Sequence, residues 1–133
     1  MYKFFYEMLL KGSIVRGGDN SGCGTFKIIQ LYSKKISHAG EIIRGVLHKF
    51  DPNKNKLQSK KHYKVVCSVV RQPTYRLNAY SVYFDQNKIL MVADNFKKLL
   101  STRIFGPIQR ELRNMKIDPS VMHRIVLFSR RVI

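Results

Sequence analysis

Three groups of residues in this 133-residue chain have the types and spacing to act on an anion. The first is Asp19-Asn20-Ser21-Gly22, preceded by Gly17-Gly18. Asp, Asn and Ser hydrogen-bond nearby backbone, and Gly reaches positive φ. A tight turn between strands is the first reading of such a run and a phosphate cradle the second, although no P-loop spacing accompanies it. The second group is residues 102–113, TRIFGPIQRELR. Arg103, Arg110 and Arg113 suit phosphate oxygens, because a planar guanidinium donates two parallel hydrogen bonds. An amphipathic surface helix, with Glu111 bridging neighbouring charges, explains the same residues. The third is a lysine-rich stretch, Lys49, Lys54, Lys56, Lys60, Lys61 and Lys64, with Asp51 its one acid. Lysine loops neutralise phosphates without reading sequence.

Catalysis finds little in the chain. The carboxylates Asp19, Glu41, Asp85, Asp94 and Glu111 form no recognisable acid/base pair, and nothing places Cys67 beside a histidine. His38, His48, His62 and His123 are scattered, without zinc spacing, so neither metal nor cofactor is expected. Two widely spaced cysteines make no disulfide framework, and Cys67 reads as a small buried residue. Tyr32, Tyr63, Tyr75 and Tyr83 lie among the charges. Core or rim packing is their first reading and base stacking the second.

The charge decides between these readings. Twenty-five Lys and Arg against eight Asp and Glu leave +17. A free soluble domain this size usually carries a net charge of about 2–8 in magnitude. So large an excess repels itself unless something anionic neutralises it. Membrane is a weak candidate. The longest uncharged apolar runs, 65–70 and 89–93, have strand length, well short of the roughly 20 residues a spanning helix needs. Residues 1–10 lack the apolar core and cleavage site of a signal peptide and the Arg and Ser of a transit peptide. Nucleic acid and acidic protein remain, with a solvated surface that is merely basic the bland alternative.

The elements that must position these groups read as mainly β. Residues 25–32 are rich in β-formers. Residues 41–50 set Ile42, Val46 and Phe50 on one parity, with Arg44 and His48 between them. Residues 63–71 put Val65, Cys67 and Val69 on one face. Tyr80, Val82 and Phe84 alternate with Ser81 and Tyr83 and read as core, and Asp85-Gln86-Asn87 reads as a hairpin turn into 88–93. Short strands so spaced predict a small closed barrel, which also removes exposed edges. The C-terminal third changes character. Gly106-Pro107 reads as a helix start, with Ile108, Leu112 and Met115 on one face and Gln109, Arg110 and Arg113 on another. Asp118-Pro119 reads as the start of a short turn or helix, and 124–128 as a last strand. A single domain is expected over 1–133: an N-terminal extension at 1–12, a barrel at 13–100, and a helical segment with the last strand at 101–133.

DNSG, followed about 80 residues later by TRIFGPIQRELR, resembles the universal large-subunit ribosomal protein L-fourteen family. AGEII at 39–43, CSVVR at 67–71 and YFDQN at 83–87 look like that family's second strand, third strand and following hairpin. The resemblance covers roughly 13–128. It implies a five-stranded β-barrel with short C-terminal α-helices and no enzymatic activity. It also implies binding to large-subunit rRNA, contacts with neighbouring large-subunit proteins, and a bridge to small-subunit rRNA. In bacterial-type and organellar ribosomes this surface is similar to the docking site of a ribosome-silencing factor. By position, Asn20 and Ser21 belong near RNA, Arg71 ends the family's strand, and Arg103, Arg110 and Arg113 lie at protein and bridge contacts. With the bulk charge pattern, the expected rRNA-binding set is Arg16, Asn20, Ser21, Lys34, Lys35, His38, Lys49, Lys54, Lys56, Lys60, Lys61, Arg71 and Arg76. Thr102, Arg103, Gln109, Arg110 and Arg113 are expected at protein or intersubunit contacts. A free single-stranded RNA-binding barrel is the alternative function.

The chain also departs from the family. Residues 72–80, QPTYRLNAY, replace a longer and strongly basic stretch and hold only Arg76. The loop before Ala39-Gly40 is short, 1–12 is extra, and 117–120 carries an insertion. The absence of Trp and the abundance of Lys, Ile, Asn, Tyr and Phe fit AT-rich coding. Together these features lead us to expect a mitochondrial ribosome, with plastid or bacterial cytoplasm the alternative.

Overall fold

The computed structural model describes residues 10–32, 38–54, 57–93, 98–115 and 119–133. Its strands are β1 (Ile14–Gly17), β2 (Cys23–Leu31), β3 (Ile42–Phe50), β4 (Tyr63–Val69), β5 (Thr74–Tyr75), β6 (Ser81–Val82), β7 (Lys88–Ala93) and β8 (Lys98–Leu99). A 3-10 helix, Arg110–Asn114, and helix α1, Pro119–Phe128, follow. The sheet runs β1-β2-β3-β4-β7-β8, and a parallel β1–β7 pairing closes the first five into a barrel. This is the mainly β, five-stranded barrel expected.

Alternation builds the barrel interior. β2 turns Phe26 and Ile28 inward while Lys27 faces water. β3 buries Ile43, Gly45 and Leu47, the parity opposite to Ile42, Val46 and Phe50. Gly45 holds an inward position because β2 crosses close to it. A Cβ there would overlap the Lys27 carbonyl oxygen and sit 2.7 Å from Phe26 Cε1. Residues 65–70 are buried without alternation, since β4 lies between two cores. One is the barrel interior, with Val15, Phe26, Ile43, Val65, Cys67, Ile89 and Met91. The other lies outside the barrel, where Val66, Leu90 and Val92 meet Ile108, Leu112, Val121 and Ile125. Cys67 is fully buried, as its neighbours imply.

Three expectations are corrected. The segment around 124–128 is helix, not strand. Pro119 occupies the first helical position, where its missing N–H costs nothing. Val121 and Ile125, at i and i+4, point into the second core. A window confined to RIVLF misses that period.

Gly106-Pro107 does not start a helix. Gly106 is at φ 78, Ile108 N–H donates to Arg131 O at 2.9 Å, and Ile133 N–H donates to Ile108 O at 2.9 Å. The backbone around Ile108 is thus spent on the C-terminal segment, and helical turns begin only at Arg110.

Tyr80, Val82 and Phe84 are not core: Tyr80 is 68% exposed and Val82 and Phe84 are half-buried, while Ser81 and Tyr83 on the opposite parity face outward as read. β6 pairs with β5, and β7 pairs with β1, β4 and β8. The 85–87 turn therefore does not join two paired strands.

Candidate nucleic-acid interface

Helix and loops cover the β4–β7 side of the barrel, whereas the outward residues of β2 and β3 are half-buried or exposed among the described residues. Strand register lines up cations there. Arg16 stands opposite Thr25, and Thr25 opposite Lys49. Gln30 stands opposite Arg44, and Arg44 opposite Lys64. Lys27 lies between these rows. Neighbouring strands are about 4.8 Å apart, so the side chains form a compact positive ladder. Arg44 Nη1 donates to Gln30 Oε1 at 3.4 Å, and Nη2 lies 2.7 Å from His62 Nδ1. Lys64 lies over the Tyr32 ring and Lys61 over the Tyr63 ring, at 5.6 and 5.3 Å. Like charges placed directly opposite on paired strands destabilise the pair. Arg44 and Lys64 are so placed and lack a carboxylate partner among the described residues.

The lysine loop continues the ladder. Leu57 anchors it in the barrel core, and Lys54, Lys60 and Lys61 are exposed. The DNSG turn holds its near end. Asp51 N–H donates to Gly22 O at 2.8 Å. Gly22, at φ 106, leaves room for Lys54, whose Cβ would lie 2.9 Å from an added methyl.

The two sequence motifs meet. Asn20 Oδ1 accepts from the Thr102 and Arg103 N–H groups at 3.0 and 3.1 Å, and Nδ2 donates to Thr102 Oγ1 at 3.1 Å. Phe105 N–H donates to Gly18 O at 2.8 Å. Asp19 Oδ1 accepts from Ser21 Oγ at 2.6 Å, and Oδ2 accepts from Met91 N–H at 3.0 Å. Burial raises the Asp19 carboxyl above its ordinary value, against the opposing pull of the Ser21 and Met91 donors. The DNSG turn thus fixes the start of the C-terminal signature and leaves Thr102, Arg103 and Phe105 outward.

The expected residues therefore separate. Arg16, His38, Lys49, Lys54, Lys60, Lys61, Arg71, Thr102, Arg103, Arg110 and Arg113 are exposed. Lys34, Lys35 and Lys56 lie outside the described residues. Ser21 and Gln109, expected as contact residues, are instead fully buried. Gln109 Oε1 accepts from Val70 N–H at 2.9 Å, and Nε2 donates to Thr74 Oγ1 at 3.2 Å, which locks the C-terminal signature to the barrel. Arg76, expected on RNA, turns inward and grips Glu111 with two hydrogen bonds at 3.0 and 3.2 Å. Partial burial works to raise the Glu111 carboxyl, but Arg76, the Glu111 backbone and Gln109 outweigh it and hold it below its ordinary value. The ladder residues Lys27 and Arg44 were not in the expected set, and Lys64 was singled out only with the lysine-rich stretch. Strand parity around Phe26 and Ile43 was the signal that would have found them.

Among the described residues no catalytic constellation forms. Burial, then the Asp19 charge, pushes the Cys23 thiol up to about 12, and burial raises Cys67 as well, so neither is a ready thiolate. Among the described residues no cluster of His, Cys, Asp and Glu could hold a metal ion.

A closed barrel with cations ranked on its open face, and turns that serve as structural clasps, defines a small basic β-barrel protein. The family model for ribosomal protein L14p/L23e matches residues 8–130, and the chain belongs to that family. A curated relative, large ribosomal subunit protein uL14 of Carsonella ruddii (strain PV), is 30% identical over 112 residues. The match spans 82% of this chain and 90% of that protein.

Proposed function

We propose that the chain is a structural constituent of the large ribosomal subunit that binds large-subunit rRNA through the β1–β4 cation ladder and the 51–64 loop. The observation that carries this reading is the Arg44–Lys64 pair in the ladder, which lacks a carboxylate partner among the described residues. Phosphates between packed RNA helices relieve that repulsion, and the protein lowers the repulsion between the helices in return. The barrel acts as a rigid platform and turns nothing over. Thr102, Arg103, Arg110 and Arg113 face neighbouring large-subunit proteins and the small-subunit rRNA at a bridge. Phe105, 48% exposed beside Arg103, gives that surface an apolar contact to which a ribosome-silencing factor could dock. Composition and the departures from the family pattern support a mitochondrial ribosome, with plastid or bacterial cytoplasm the alternative.

A free single-strand RNA-binding barrel is the second reading, and the exposed Tyr75, Tyr80 and Tyr83 favour it. Gradient sedimentation of native lysate, with mitochondria fractionated separately, separates the two. Co-sedimentation with the large subunit and monosome that resists moderate salt is expected. A small free species that still binds oligonucleotides would replace the first reading with the second.

A further inference from the structure

The β5–β6 hairpin carries apolar side chains that the fold does not use. Tyr75 is 83% exposed and Leu77 fully exposed. Single exposed apolar residues are ordinary, but Tyr75, Leu77 and Tyr80 on one short hairpin beside a cationic groove are not. The hairpin is held firmly. Tyr75 pairs with Ser81, Arg76 N–H donates to Tyr80 O at 2.9 Å, and the Arg76 side chain is bolted to Glu111. Gln109 holds Thr74 from below. Between hairpin and 3-10 helix runs a groove of about 710 Å³, lined by Tyr75, Leu77, Asn78, Arg110 and Arg113 among others. The carboxylate in its wall, Glu111, is already neutralised by Arg76. Arg110 and Arg113 are exposed and make no hydrogen bond or ion pair with any described residue.

A tyrosine at the rim, a cationic wall and a volume within the usual range for small-ligand clefts describe a receptor for one planar, anionic group. We infer that the groove takes an unpaired RNA nucleotide, with its base stacked on Tyr75 and its phosphates on Arg110 and Arg113. This rests on the rRNA-binding reading, including the rRNA contact given to Arg110 and Arg113 at the bridge, and goes beyond it, because the ladder suits helical phosphates whereas this groove requires a base outside a helix. The charge argues for RNA over a protein segment. Two guanidinium groups without a partner among the described residues flank the apolar surface, and successive phosphates of a strand can each meet one of them. The walls are fixed beforehand, so little ordering opposes binding.

The test titrates the purified full chain with an oligoadenylate of about ten nucleotides, within the range of single-strand site sizes, and with an RNA duplex. Wild type is compared with Tyr75→Ala, Tyr75→Phe, Tyr75→Leu and Arg113→Gln. Tyr75 is exposed, so these variants fold. Tyr75→Ala and Tyr75→Leu should each weaken oligoadenylate binding roughly ten- to a hundredfold, the usual worth of one stacked base, and Tyr75→Phe should retain it. Duplex affinity should not change, nor should the salt dependence of any Tyr75 variant. Arg113→Gln should lower that slope by about 0.7. Oligoadenylate binding unaffected by Tyr75→Ala, with duplex binding intact, overturns this inference alone. Retention by Tyr75→Leu also overturns it and points to an apolar protein partner. Failure of wild type to bind either RNA overturns the rRNA reading and the inference with it.

Discussion

At the residue scale, two buried or half-buried carboxylates work in opposite directions. Asp19 has a raised native value, so its contribution to stability is fully present below its ordinary 3.8 and is lost as pH rises through the raised value. Glu111 is depressed, so its contribution is present above 4.5 and is lost as pH falls through the lowered value. In urea melts across the acid range, the wild-type advantage over Asp19→Ala should shrink as pH rises, and the advantage over Glu111→Gln should shrink as pH falls. Parallel curves for the two variants would refute the assignment. Asn20→Ala removes the acceptor of the exposed Thr102 and Arg103 N–H groups, which water then reaches, and should cost about 0.5–1.5 kcal/mol. The sequence marked Asn20 and Ser21 as important but could not separate a clasp from a contact. The partners of Asn20 lie more than 80 residues away, and hydrogen-bonding side chains look alike whether their acceptor is backbone or RNA.

At the element scale, legibility followed periodicity and failed where tertiary bonding overrode it. Strands β2, β3, β4 and β7 could be read because alternation or continuous burial spans enough residues to show. The turn at Gly106-Pro107 could not, because its backbone is committed to residues 131–133, a pairing with no local trace. α1 was hidden by β-branched residues whose packing, not propensity, decides their state. Its docking is checkable. Ile125 is fully buried in the outer core, and Ile125→Ala should cost about 2–5 kcal/mol. Leu127 is 66% exposed on the same helix, and Leu127→Ala should change stability by less than about 0.5 kcal/mol. A strand over these residues would set Ile125 and Leu127 on one face and predict similar costs for both. Gly45→Ala should be worse than either, since the methyl meets backbone on β2 that is held in register on both sides.

At the scale of the whole molecule, the +17 charge and its placement bear on stability and binding together. The bulk excess was plain in the composition, and it pointed to a polyanion. Which cations face that partner was not plain, because a loop rich in lysine draws the eye while single cations alternating with core residues do not. Lys27, Arg44 and Lys64 are set by register across three strands, and register is a property of the barrel. If the ladder exists to meet phosphate, it is strained in the free protein. Lys64→Gln removes a like charge facing Arg44, so it should leave the isolated chain as stable as wild type or slightly more so, while weakening its binding to rRNA fragments. The salt dependence of that binding should fall by about one charge. Stability and affinity would then move in opposite directions in one variant, measured by thermal melting and by titration at several salt concentrations. A fall in both would mean that Lys64 serves the fold through its contact with Tyr32, and the ladder would have to be sought elsewhere on the barrel.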